Sequence, residues 1–237
     1  MPAQSSSSPT PLLNTVLDSI GIDIISNTLG PGQVFTLQDL CERFDISRTV
    51  AREVMRALEQ RGLVTSSRRV GITVAPRSEW SFFDPLIIRW RLEADTQRTA
   101  QLHSLNELRM AIEPLAARKA ADLATPEQRA RLQELARELY QLGEERKGNT
   151  NRFLAADCEF HGLILEASRN EMFNGLKGLM NLVMETRTHR GLQPARPVPG
   201  AMDLHVQLAD AIALGEADQA AAVAREIIQE VDSTFGL

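Results

Sequence analysis

A chain of 237 residues, 43% of them hydrophobic and 24% charged, is long enough for two modest domains or one large one, and it buries a core without staples. Its net charge of -5 argues against non-specific coating of nucleic acid, and an aromatic content of 5% disfavours single-strand or RNA recognition by base stacking. The two cysteines, Cys41 and Cys158, each fall inside an apolar helical pattern, which disfavours a disulfide framework or a thiolate zinc site. No run of about 18 apolar residues and no signal-peptide pattern is found, so the expectation is a soluble, cytoplasmic protein with no membrane partner.

Residues 1–11, rich in Ser and Pro, read as a disordered tail. From Leu12 to Leu29 the positions Leu13, Val16, Leu17, Ile20, Ile24 and Ile25 follow helical spacing, and Gly30-Pro31-Gly32 ends the element. A short second helix is capped by Thr36 with Asp39 three residues on, and presents Leu37, Leu40, Cys41 and Phe44 to one side. The turn Asp45-Ile46 leads into a third helix, with Ser47 as N-cap and Gly62 just past the end.

That third helix has an apolar side (Val50, Val54, Ala57, Leu58) and a row made by Arg48, Arg52 and Arg56, with the hydroxyls of Ser47 and Thr49 at its N-terminal end. Arginines and hydroxyls delivered at a helix N-terminus suit the DNA major groove, whereas the plainer reading is a solvated helix whose arginines pair with Glu53 and Glu59. The flanks favour DNA. Leu63–Ser67 and Ile72–Ala75 read as two strands around the tip Arg68-Arg69-Val70-Gly71, and a basic hairpin directly after a recognition helix is a wing for neighbouring phosphates or the minor groove.

The run from Leu40 to Pro76, with Ile46-Ser47-Arg48-Thr49-Val50-Ala51-Arg52-Glu53-Val54, Leu58-Glu59, Gly62-Leu63-Val64 and Gly71-Ile72-Thr73-Val74, resembles the winged helix-turn-helix of the GntR family of bacterial transcription regulators. The resemblance implies that Arg48 and Arg52 contact operator DNA and that the wing glycine, Gly71, approaches the minor groove. Where the family usually begins its second helix with Leu-Pro-Ser-Glu, this chain has Phe35-Thr36-Leu37-Gln38-Asp39, which puts Gln38 at the position of a DNA contact in relatives. The expected DNA-binding set is Gln38, Ser47, Arg48, Thr49, Arg52, Arg56, Arg68, Arg69 and Gly71.

From Ser78 onward the pattern is helical almost throughout. Asp84-Pro85 opens a linker helix among Trp80, Phe82, Phe83 and Trp90, which suggests docked domains. Further helices are expected over about 96–123, bent at Pro114, then 126–147, 152–168, 171–189, 201–214 and 217–235, with 190–200 as the one long polar loop. The fold expected is mainly α: a winged helix-turn-helix of three helices and a β-hairpin wing, followed by an all-α bundle of six or seven helices. Its boundaries are a tail at 1–11, a DNA-binding domain at 12–77, a linker helix at 78–95, and an effector-binding and dimerisation domain at 96–237.

Asp157 and His161 lie four apart on one helix amid Phe153, Leu154, Phe160 and Ile164, and His205 offers a third ligand from a later helix. A carboxylate and imidazoles converging inside an apolar bundle are a candidate metal site; a buried Asp–His hydrogen bond is the alternative. Asn106-Glu107-Leu108-Arg109, Ile112-Glu113, Asp157-Cys158-Glu159-Phe160-His161, Ala167-Ser168-Arg169-Asn170 and the stretch from His205 to Ile212 resemble the effector domain of the FadR subgroup. In many members an Asp and three His hold a divalent metal against which an organic acid sits. Asp157, His161 and His205 match three of those ligands, and the fourth position falls near Ile227 and Ile228.

The resemblance therefore implies zinc or nickel on three protein ligands, or a metal-free site in which the same groups hydrogen-bond a polyhydroxy ligand. It also puts Arg109 at the cavity, suited to clamp a carboxylate, where the alternative is a salt bridge to Glu113. The aromatic linker and the missing last His are similar to repressors of sugar-acid catabolism, such as galactonate operon repressors. The leading expectation is a homodimeric repressor that binds double-stranded operator DNA and answers to a sugar acid such as galactonate or gluconate. Two others stand beside it: a metal-dependent enzyme built on Asp157, His161 and His205 around a bound water, and a structural DNA binder without effector.

Overall fold

The computed structural model describes residues 9–68, 70–198 and 200–235, with side chains between Leu12 and Glu230. It divides into two compact units at Thr99 and Ala100. The first unit begins with α1 (Pro9–Ile25), so the tail expected at 1–11 is helical from Pro9 onward. Pro9 and Pro11 fall in the first turn, where backbone N–H groups have no intrahelical partner for a proline to remove. Residues 1–8 lie outside the described residues.

After α1 come β1 (Val34–Phe35), α2 (Leu37–Phe44), α3 (Arg48–Gln60), β2 (Val64–Ser67) and β3 (Gly71–Val74). The strands form one antiparallel sheet in the order β1-β3-β2, with Val34 opposite Thr73 and Val64 opposite Val74. A two-residue strand has no alternation to read, which is why β1 was not among the expected elements. The Thr36–Asp39 capping box forms in both directions, at 3.1 Å and 2.7 Å.

The end of α3 shows why Gly62 is a glycine. Its φ is +72°, the Gly62 N–H donates to Glu59 and the Leu63 N–H to Leu58, and an added Cβ would stand 1.9 Å from the carbonyl oxygen of Glu79. The core of this unit gathers Val16, Ile20 and Ile24 of α1 with Val54 and Leu58 of α3 and Ile72 and Val74 of β3. It is closed by α4 (Pro85–Glu93), which starts on the Asp84 cap. Trp90 is fully buried over Gly21, where any Cβ would come within 2.6 Å of the indole. Its Nε1–H donates to Asp18 at 2.8 Å, and Asp18 also takes a hydrogen bond from Arg89. Trp80 and Trp90 thus serve the core of the first unit, while Phe83 stays exposed.

The division between the units falls within α5 (Asp95–Leu123), which runs through Pro114 as one helix. The second unit continues with α6 (Pro126–Glu144), α7 (Asn151–Ala167), α8 (Glu171–Gly175), α9 (Lys177–His189), α10 (Ala201–Leu214) and α11 (Ala217–Phe235). The single helix expected over 171–189 is therefore two. Gly175 and Gly178 flank the break at Leu176, whose N–H bonds back to Phe173 in a tighter turn, and glycine disfavours helix by about 1 kcal/mol relative to alanine. Helix α10 packs on α6 and α11, and α7 on α6 and α9, around Leu132, Leu135, Phe160, Ile212 and Ile228.

Candidate functional sites

In the first unit, Gln38, Arg48 and Arg52 face Arg68 and Gly71 of the hairpin across a concavity of about 440 Å³. Arg48 reaches Gln38 at 3.4 Å, so the two helices of the expected reading head meet through side chains named from sequence. Ser47 caps α3, accepting from the Val50 N–H at 3.3 Å. Thr49 is exposed and stands outside the concavity, and Arg56 instead pairs with Glu53 at 2.8 Å on the helix surface. Gly71 has a reason of its own to be glycine: φ is +103°, and a Cβ would lie 2.9 Å from the carbonyl oxygen of Phe35. Arg69 lies outside the described residues.

In the second unit, Asp157 and His161 from α7 and His205 from α10 converge, with their ligand atoms all within 4.8 Å of one another. The Nε2 atoms of His161 and His205 are 3.5 Å and 3.6 Å from Asp157 Oδ1. Donors bound at about 2.0–2.2 Å around a tetrahedral ion stand about 3.3 Å apart, so the spacing fits a divalent metal. The orientation of both rings fits as well. His205 Nδ1 lies 3.0 Å from the Ala201 carbonyl oxygen, which only accepts, so Nδ1 carries the hydrogen and buried Nε2 is left without a hydrogen-bond partner, its lone pair toward the cluster. His161 Nδ1 lies 2.8 Å from Glu113, and its Nε2 likewise turns to Asp157.

Glu113 joins two features that the sequence presented separately. It accepts from Arg109 Nε at 2.6 Å and Nη2 at 3.4 Å, and from His161. The salt bridge and the cavity position of Arg109 were read as alternatives, yet both hold: Arg109 is 1% exposed, lines the cavity, and keeps Nη1 without a hydrogen-bond partner. Helical spacing showed the Arg109–Glu113 pair but not its third member, since His161 arrives from another helix.

Burial would raise the Glu113 carboxyl, but Arg109 and His161 pull it down to about 2. Burial would likewise raise Asp157, and the adjacent His161 and His205 rings hold it well below the usual carboxylate range. His161, which burial alone would lower, is raised to about 9 by Glu113 and Asp157. The metal-free cluster is thus an imidazolium between two carboxylates, and a metal would take the place of its Nε2 proton. Burial pushes the neighbouring Cys158 thiol up to about 12, which leaves no thiolate for the site.

The same cavity is lined by Arg187 from α9, Gln193 and Pro194 from the following loop, and Ile227 and Glu230 from α11. Desolvation and the charge of Arg109 depress the Arg187 guanidinium to about 10. Ile227 presents an apolar side chain where the resemblance places a fourth imidazole. Gln193 and Glu230 carried no sequence signal, because a loop and the end of a helix show no periodicity that points inward.

The fold and both clusters are those of a two-unit regulator, with a DNA-reading head and a ligand-binding bundle. The chain belongs to the GntR family of bacterial regulatory proteins, whose model matches residues 12–74, and it carries an FCD domain at residues 104–230. It is 29% identical over 218 residues to the galactonate operon transcriptional repressor of Escherichia coli K12, covering 90% of this chain and 92% of that protein. It is also 29% identical over 205 residues to the uncharacterized HTH-type regulator YieP of the same organism, covering 86% and 85%.

Among solved structures, Lar, which controls expression of the Listeria monocytogenes agr system, shares the fold with a TM-score of 0.60 at 14% identity, over 99% of this chain and 100% of that one. McbR/YncC of E. coli shares it with a TM-score of 0.52 at 19% identity, over 95% and 97%. The families and relatives matched are transcription regulators and not enzymes, so the enzymatic reading of Asp157, His161 and His205 is set aside. Among the described residues no helix is long and apolar enough to cross a membrane.

Proposed function

We propose that this regulator is a homodimeric repressor whose affinity for a palindromic operator is set by a small sugar acid, of the galactonate or gluconate type, bound in the C-terminal bundle. The observation that carries the reading is the convergence of Asp157, His161 and His205 in one cavity with the buried, partly unpaired guanidinium of Arg109. Zinc or nickel on Asp157, His161 and His205 would present open positions to a carboxylate and an adjacent hydroxyl, while Arg109 neutralises the acid's charge. The likeness to the galactonate operon repressor supports this choice of acid. In the DNA-reading unit, Arg48 and Arg52 would read base edges, Gln38, Ser47, Thr49, Arg68, Arg69 and Gly71 would supply backbone and minor-groove contacts, and Arg56 would add to them.

Thermal unfolding with a panel of sugar acids, with and without a chelator, tests the ligand half of this reading. A ligand at a hundred times its Kd stabilises by about 2.7 kcal/mol. The expected result is stabilisation by a sugar acid that disappears on chelation. No stabilisation by any acid, with or without metal, would overturn it.

A further inference from the structure

The cavity at Asp157, His161 and His205 holds about 30 Å³, room for a single water or ion. Sites for small organic ligands measure about 300 Å³ or more, so a six-carbon acid does not fit there as the cavity stands. A second concavity of about 230 Å³ adjoins it, lined by Tyr140 and Glu144 of α6, Arg196 of the loop, and Asp203 of α10. Pro197, Val198 and Met202 line both spaces, so one layer of side chains divides them.

This partition is seated on α6 and the turn after it by two glycines. A Cβ on Gly143 would meet Met202 Cγ at 3.0 Å and Pro197 Cγ at 3.5 Å. The Gly148 N–H donates to the Ala195 carbonyl at 2.8 Å, and a Cβ there would lie 2.8 Å from the Pro194 carbonyl oxygen. The side chains of Pro197, Val198 and Met202 divide a polar inner end from a polar outer one.

We propose that the two spaces are the halves of one binding site for a polyhydroxy monocarboxylate. The inner half takes the carboxylate end at Arg109 and the Asp–His–His cluster; the outer half takes the hydroxylated tail, with Tyr140, Arg196 and Asp203 as its hydrogen-bonding partners. Pro197, Val198 and Met202 move aside when the ligand spans both. This rests on the acid reading above and adds that chain length is selected by a surface the metal cluster does not touch. Tyr140 and Asp203 are solvent-accessible, so changing them leaves the core intact.

The test is calorimetric titration of the metal-loaded full chain and of Tyr140→Phe/Asp203→Asn with two probes, D-galactonate and the two-carbon acid glycolate. Losing the Tyr140 hydroxyl bond and turning the charge-assisted Asp203 bond into a neutral one is expected to weaken D-galactonate about tenfold in the variant. Glycolate, confined to the inner half, should keep its affinity within about twofold, less than one such bond is worth. Equal losses for both acids, or no loss for D-galactonate, would overturn the compound site while leaving acid binding in place. Failure of the parent to bind either acid would remove the acid reading and this inference with it.

Discussion

The two units use arginine in opposite ways. In the N-terminal unit Arg48, Arg52 and Arg68 line an open concavity, held by little besides the 3.4 Å contact of Arg48 with Gln38 among the bonds described there. In the C-terminal bundle Arg109 is buried, and two of its nitrogens are taken by Glu113. Solvated guanidiniums are available to phosphates and base edges and cost the fold little, whereas a buried one is fixed in place only because a carboxylate offsets its desolvation. A partner of many charges suits the first arrangement and a single small anion the second.

The largest effect is expected in the head. Arg48→Ala together with Arg52→Ala removes two groups each worth about 1–3 kcal/mol of recognition, so operator affinity in an anisotropy titration should fall at least about 30-fold with ligand binding unchanged. In the bundle, Glu113→Leu leaves the Arg109 guanidinium buried without its carboxylate and should cost about 3–5 kcal/mol in urea unfolding. An effect below about 1 kcal/mol, the range of an exposed pair, would show that the two arginine environments do not differ as described.

Backbone geometry gives an intermediate effect. Gly62→Ala must hold φ at +72° with its methyl against the Glu79 carbonyl oxygen, and should lose about 1–3 kcal/mol from strain before the clash is counted. The smallest change is expected for Arg56→Ala, which breaks only a surface pair with Glu53. Its stability should stay within about 1 kcal/mol, and any loss of operator affinity well short of that from Arg48→Ala would keep Arg56 at the margin of the reading head.

The head was largely legible because its determinants are local. Caps, turn glycines and an arginine row all lie within a few residues of one another, and Thr36, Ser47 and Gly62 do what their residue types require. What went unread was β1, too short to carry a pattern, and the first turn of α1, hidden by its prolines. In the bundle, Asp157 and His161 were visible as an i, i+4 pair with His205 offered from a later helix, and Arg109 came through resemblance. Glu113 had been visible only as half of an ion pair, and the loop walls Gln193, Pro194 and Pro197 had no signal at all, because what brings them to the cavity is tertiary packing.

On the function proposed above, a ligand held by the Asp157–His161–His205 cluster governs operator binding. Linkage makes the coupling reciprocal, so it is visible from the DNA side. The direct measurement is operator affinity with and without saturating D-galactonate, for the metal-loaded parent and for His205→Ala. A clear shift is expected in the parent, typically about fivefold or more for a coupled site, and none in the variant. An unshifted parent, or a variant that responds as the parent does, would contradict it.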